Sequence, residues 1–117
     1  MKSYRDLIAW QKAMAMVTEI YRLTSAFPSE EKFGLTSQLR RAAVSVPSNI
    51  AEGHSRNSDG EFKQFLGIAR GSISEVETQL LIAVNLGFLS EQDSNIASVE
   101  EVGRITSGLI RSLKSKS

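Results

Sequence analysis

Apolar residues recur along this chain at intervals of three and four and do not alternate with polar ones over the length of a strand. That spacing puts them on one face of an α-helix and leaves no pattern for a half-buried β-strand. Three S-x-x-[DE] boxes punctuate the runs, Ser3 with Asp6, Ser58 with Glu61 and Ser90 with Asp93, and each can satisfy two orphan amide donors at a helix start. The pattern predicts an all-α fold of four helices.

The first helix is expected from about Arg5 to Ser25, with Leu7, Trp10, Met14, Val17, Tyr21 and Thr24 as its core stripe and Phe27-Pro28 as its end. A second apolar row, Ile8, Ala15, Met16, Ile20, Leu23 and Phe27, runs beside that stripe. It reads either as a thick core stripe within one subunit or as an interface between copies, with Ile8, Met16, Ile20 and Leu23 as the interface candidates. The second helix is expected from about Leu35 to Gly53, with Leu35, Leu39, Ala42, Val46 and Ile50 inward. Pro47 lies inside it and removes a bond to the carbonyl of Ala43, so the segment is a kinked helix or, alternatively, two short ones.

The third helix, from about Asp59 to Leu86, carries an unbroken seam of Phe62, Leu66, Ala69, Ile73, Val76, Leu80 and Ala83, with Gly87 as its C-terminal cap. Ile68 and Leu81 fall off that seam. The fourth, from about Glu91 to Leu113, is sparser, with Ile96, Val99, Val102, Ile105, Leu109 and Leu113, and the basic tail from Lys114 to Ser117 is expected to fray. The connections are short, which favours an antiparallel up-down four-helix bundle occupying residues 1–117 as one domain.

Composition narrows the chemistry. The 117 residues include no cysteine, so disulfides, thiolate metal sites and a cysteine nucleophile are excluded. No apolar run reaches the roughly 18 to 20 residues of a membrane span. The N-terminal apolar stretch is broken by Arg5, Asp6 and Lys12, unlike a signal peptide, and a cytoplasmic setting is the expectation. His54 is the only histidine, and its position at the end of the second helix suits a cation facing the helix dipole better than a base or ligand lacking partners. There is no phosphate loop, no zinc-protease motif and no serine, histidine and aspartate set beyond coincidence, so no enzyme, cofactor, metal or small-molecule substrate is expected.

The net charge of +1 hides an uneven distribution. Residues 1–57 hold 8 Lys and Arg against 5 acids, residues 58–101 hold 2 against 8, and residues 102–117 hold 4 against none. These charges read as solvated faces or as a basic surface built from both ends. For the second reading, Arg40, Arg41, Arg56, Arg104, Arg111 and Lys114 are the candidate phosphate contacts to RNA or DNA. A polar row on the second helix, Arg41, Ser45, Asn49, Glu52 and Arg56, faces a row on the third that includes Ser72, Glu75 and Gln79. Arg41, Ser45, Asn49, Glu52, Ser72 and Glu75 are the candidates for a structural polar network, with Gly67, Gly71 and Ser74 allowing close helix approach.

An ordered set of short motifs runs through these helices: W-Q-K-A at Trp10–Ala13, I-Y at Ile20 and Tyr21, F-P at Phe27 and Pro28, F-G-L at Phe33–Leu35, Q-L-R-R-A at Gln38–Ala42, N-I-A-E-G at Asn49–Gly53, and A-R-G-S-x-x-E at Ala69–Glu75. Together they resemble the bacterial four-helix bundle family encoded by intervening sequences in large-subunit ribosomal RNA genes, over nearly the whole chain. The accessory variability proteins of diversity-generating retroelements are similar. The resemblance implies a ring-shaped homopentamer of antiparallel bundles. The retroelement relatives are basic and bind nucleic acid and a reverse transcriptase, whereas most family members have no established biochemical role. The charge of +1 and the acidic third helix depart from that basic pattern. The expected function is therefore a non-enzymatic homo-oligomer that binds RNA or a nucleoprotein through basic residues, or else a protein-binding assembly module with no nucleic-acid role.

Overall fold

In the computed structural model, which describes residues 3–114 and side chains as far as Leu113, the apolar runs form α1 (Ile8–Thr24), α2 (Leu35–His54), α3 (Asp59–Asn85) and α4 (Ile96–Lys114). Of the tail expected to fray, Lys114 to Ser117, the Lys114 backbone still belongs to α4, and its side chain and residues 115–117 lie outside the described residues. Each helix packs on its neighbour in sequence, and α4 packs back on α1, while the diagonal pairs stay apart. This is a four-helix bundle measuring 46 × 22 × 19 Å. Antiparallel neighbours are fixed by side chains: Arg40 reaches Thr24, Ser45 meets Ser72, and Lys12 pairs with Glu101 at 3.7 Å.

Local chemistry sets the helix ends, and it departs from expectation at two of them. Ser58 accepts a hydrogen bond from the Glu61 amide at 3.2 Å and starts α3 as the capping box requires. Gly87, at φ +79°, ends α3: its amide bonds the Val84 carbonyl while the Phe88 amide reaches back to Ala83, the paired bonds of a Schellman cap. Phe88 then stacks against Phe27 with ring centroids 5.5 Å apart, tying the ends of α1 and α3 together.

Ser3, in contrast, caps a separate 3-10 turn (Tyr4–Asp6), and extended Leu7 resets the chain before α1. Ser90 likewise caps only an isolated turn, because Asn95 adopts φ 57° and α4 begins after it at Ile96. Asparagine tolerates the left-handed region better than other non-glycine residues, so the chain can stop and restart there. The α2 start is held by Glu31, whose carboxylate accepts the Leu35 amide at 3.0 Å. Helix α2 continues through buried Pro47 as one element, not two.

The core follows the predicted seams on α2 and α3: Leu39, Ala42, Val46 and Ile50 face Leu66, Ala69, Ile73, Val76, Leu80 and Ala83. On α4, Val99, Val102 and Leu113 are buried with Thr106 and Ile110. The phase of α1 must be corrected. Its buried row is Ala9, Ala13, Met16, Ile20, Leu23 and Thr24, whereas Met14 and Tyr21 are exposed and Trp10 and Val17 are half-buried. Met16, Ile20 and Leu23, assigned above to an interface, are therefore core residues, with Ile20 only 1% exposed. Of that set only Ile8 stays outside, at 59% exposure. Leu7 and Thr24 of the expected stripe are buried, while Met16, Ile20, Leu23 and Phe27 of the second row take the core places expected for Met14 and Tyr21.

Candidate functional site

The expected polar row on α2 divides into a satisfied inner part and an open outer part. Ser45 and Ser72 share a hydrogen bond at 2.8 Å across the α2–α3 seam. Asn49 donates to both the carbonyl and the hydroxyl of Ser45, at 2.8 and 2.9 Å. Glu52 turns instead to Arg56, one helical turn away at 2.9 Å. Arg41 and Glu75 line one groove with Gln38, Ser45, Ser72 and Gln79, but they form no ion pair with each other, and both are exposed. Gln79 buries its Oε1 atom in that groove without a hydrogen-bond donor. Among the described residues this is a buried acceptor left open, and such atoms ordinarily find partners.

The candidate basic residues do not converge on one surface. Arg40 donates from Nε to Thr24 Oγ1 at 2.8 Å and from Nη2 to the Tyr21 carbonyl at 3.4 Å. Its guanidinium carbon sits 4.5 Å from the centre of the Tyr21 ring. It thus serves as a cation at the C-terminal end of α1, where the helix dipole favours one. Arg56 stacks over Phe65 at 4.8 Å besides pairing with Glu52. Arg104 and Arg111 lie together on the α3–α4 groove, joined by Arg70, which sequence reasoning missed. Glu77 and Glu100 share that groove and offset part of its charge. The Lys114 side chain lies outside the described residues. Elsewhere, two hydrogen bonds from Arg22 hold the Glu19 carboxyl below its ordinary pKa.

His54 occupies the last turn of α2, edge-on to Phe62, and no group of three potential metal ligands forms among the described residues. No described helix is long and apolar enough to cross a membrane.

The apolar surface is the more distinctive feature. Phe33, 89% exposed, lines an outer α1–α2 groove of about 590 Å³ with Tyr21 and Val44. Trp10, Met14, Val17 and Tyr21 share one helical face leading down that edge. On α3, exposed Ile68 and Ile82 lie seven residues on either side of Glu75, and Leu86 follows one turn later. Ile68 and Leu81, 53% and 45% exposed, were legible as residues off the seam; Ile82 and Leu86 were not singled out in the sequence.

Residues 5–108 match the 23S rRNA-intervening sequence protein family. The chain belongs to that family. A solved structure of a Bacteroides thetaiotaomicron protein of unknown function, described as from the S23 ribosomal protein family, superposes on this 23S rRNA-intervening sequence protein with a TM-score of 0.80. The two are 23% identical over 89% of this chain and 96% of that one, which establishes the shared bundle. No curated protein is detectably similar to this family member.

Proposed function

We propose that this 23S rRNA-intervening sequence protein is a non-enzymatic module whose task is to assemble with copies of itself into a ring that serves as a scaffold. The observation that carries this reading is the pair of unlike apolar rows, one along the α1–α2 edge and one on α3 beside α2, both left open by a bundle whose core is already filled. Large exposed apolar patches mark interaction sites. Two different patches on one subunit make a head-to-tail contact, which closes into a ring when the rotation allows. A head-to-tail contact that turns by about 70–90° at each step closes after four or five copies. The pentamer implied by the family resemblance fits that range.

A second reading, an RNA-binding ring, is favoured by one observation: Arg70, Arg104 and Arg111 share a groove on the α3–α4 side, away from the apolar rows. Multiplied around a ring, three arginines per subunit would neutralise several phosphates. Light scattering on the purified protein, followed by fluorescence anisotropy with a structured RNA across a salt series, tests both readings. Self-assembly requires a mass several times 12.9 kDa. RNA binding requires an affinity that falls steeply with salt. A monomer at micromolar concentration overturns the first reading, and no binding at low salt overturns the second.

A further inference from the structure

The α3–α4 groove carries both signs of charge in a regular order. On α3, Arg70 and Glu77 lie two turns apart on the flank facing α4, and on α4, Glu100 and Arg104 lie one turn apart on the flank facing α3. None of the four belongs to an ion pair among the described residues, although Glu100 and Arg104 have the spacing at which such pairs form along a helix. Their heights along the groove follow from one contact: a Cβ on Gly103 would lie 3.6 Å from Ile73 Cγ2. The two helices are antiparallel, so Ser74 is level with Val102, and each step along α3 is a step back along α4. The midpoint of Arg70 and Glu77 falls between Ile73 and Ser74, and that of Glu100 and Arg104 falls at Val102. With a rise of about 1.5 Å per residue, the two midpoints are level to within about 1 Å.

A single two-fold axis laid across both helices at that level exchanges Arg70 with Glu77 and Glu100 with Arg104. We infer that the α3–α4 face pairs with the same face of a second copy, antiparallel, across that axis. Arg70 of each copy then meets Glu77 of the other, and Arg104 meets Glu100, so the contact holds four ion pairs that an isolated subunit lacks. The residues nearest the axis, Ser74 and Gly103, are small and let the two faces come together. An RNA strand would satisfy the arginines but would bring phosphates against Glu77 and Glu100. A copy of the face satisfies both signs, and that complementarity selects it as the occupant. The contact uses neither apolar row, so it goes beyond the self-assembly reading: it pairs two single subunits, or joins one ring to another. Exposed ion pairs are weak and screened, so the pairing is salt-sensitive.

Light scattering at subunit concentrations up to about 1 mM, where weak contacts become populated, tests the pairing. The wild-type mass in about 20 mM salt is expected to be roughly double or more its value in about 0.5 M salt, where screening is short-ranged. The high-salt mass reports the self-assembly reading separately. Arg70→Glu and Glu77→Arg each place like charges opposite one another, so each variant alone should keep the high-salt mass at low salt. An equimolar mixture of the two should recover the larger low-salt mass, because each then offers the sign that the other lacks, and recovery also shows that both variants are folded. A wild-type mass that does not change with salt overturns the inference, whether that mass is one subunit's or a ring's. So does a larger low-salt mass that survives in Arg70→Glu, or a mixture that fails to recover it. If Arg70→Glu weakens RNA binding by fluorescence anisotropy while no mass responds to salt, the groove serves RNA and the pairing is likewise overturned.

Discussion

Gly53 leaves no room where α2 and α3 meet: a Cβ built there would lie 2.7 Å from Phe65 Cβ and 3.0 Å from Phe62 Cδ1. The Phe65 Cβ is fixed to the α3 backbone, so relief requires the two helices to separate. An alanine would gain helix propensity of about 1 kcal/mol, but overpacking of this kind typically costs about 1–3 kcal/mol. So close an approach to an atom that cannot swing aside makes the overpacking outweigh the propensity. Gly53→Ala is thus expected to lower the thermal midpoint by several degrees in a calorimetric melt; an unchanged or higher midpoint would show that the seam can open freely. The same scale separates what the sequence could convey from what it could not. The N-I-A-E-G motif includes Gly53 without saying what it touches. Arg40 and Arg41 are adjacent and look alike in sequence, yet one turns onto Tyr21 and Thr24 while the other faces the open groove. A helical step of about 100° separates their directions, and only the packing of α1 decides which arginine finds a partner.

At the scale of elements, α2 and α3 were legible because each has a single dominant apolar stripe flanked by unambiguous signals, Ser58 and Gly87 on α3 and the Gly34 entry on α2. Helix α1 has two stripes of similar strength, and its larger residues, Trp10, Met14 and Tyr21, drew the phase away from the row built on Ala9 and Ala13. Hydrophobicity alone cannot order two such rows; the space available between neighbouring helices does. Helix α4 starts later than its Ser90 box suggests because Asn95 turns the chain through φ 57°. The Asn95 side chain also accepts a hydrogen bond from the Ser98 hydroxyl at 3.1 Å, so the residue both breaks the preceding turn and steadies the start of α4. Asn95→Ala should destabilise the fold by roughly 1–2 kcal/mol, since a Cβ-bearing residue without a local side-chain bond is held in the left-handed region at about that cost. Asn95→Gly should be close to neutral. Urea titration of the two variants checks this, and equal midpoints for both would show that the left-handed turn carries no strain.

For the whole molecule, the two glycines Gly67 and Gly71 separate a lone bundle from an assembled one. They were expected to let a neighbouring helix approach, and within the subunit a Cβ at either position meets nothing within 4 Å. Both lie away from the core, and Gly71 sits one turn from Glu75 on the face that carries Ile68 and Ile82. In an isolated subunit, glycine in the middle of a 27-residue helix is only a weakness, since replacing it recovers about 0.5–1 kcal/mol of helix propensity. In a ring whose copies meet along that face, a small residue there lets the neighbour's α1 come close, and a large one holds it away. Gly71→Leu therefore has opposite consequences for the subunit and the assembly. Far-UV circular dichroism should show helix content retained, while light scattering should show the mass falling toward a single subunit. If the variant kept the native assembled mass, the face containing Gly71 would lie outside the contact, and the small residues of α3 would need an explanation within the single bundle.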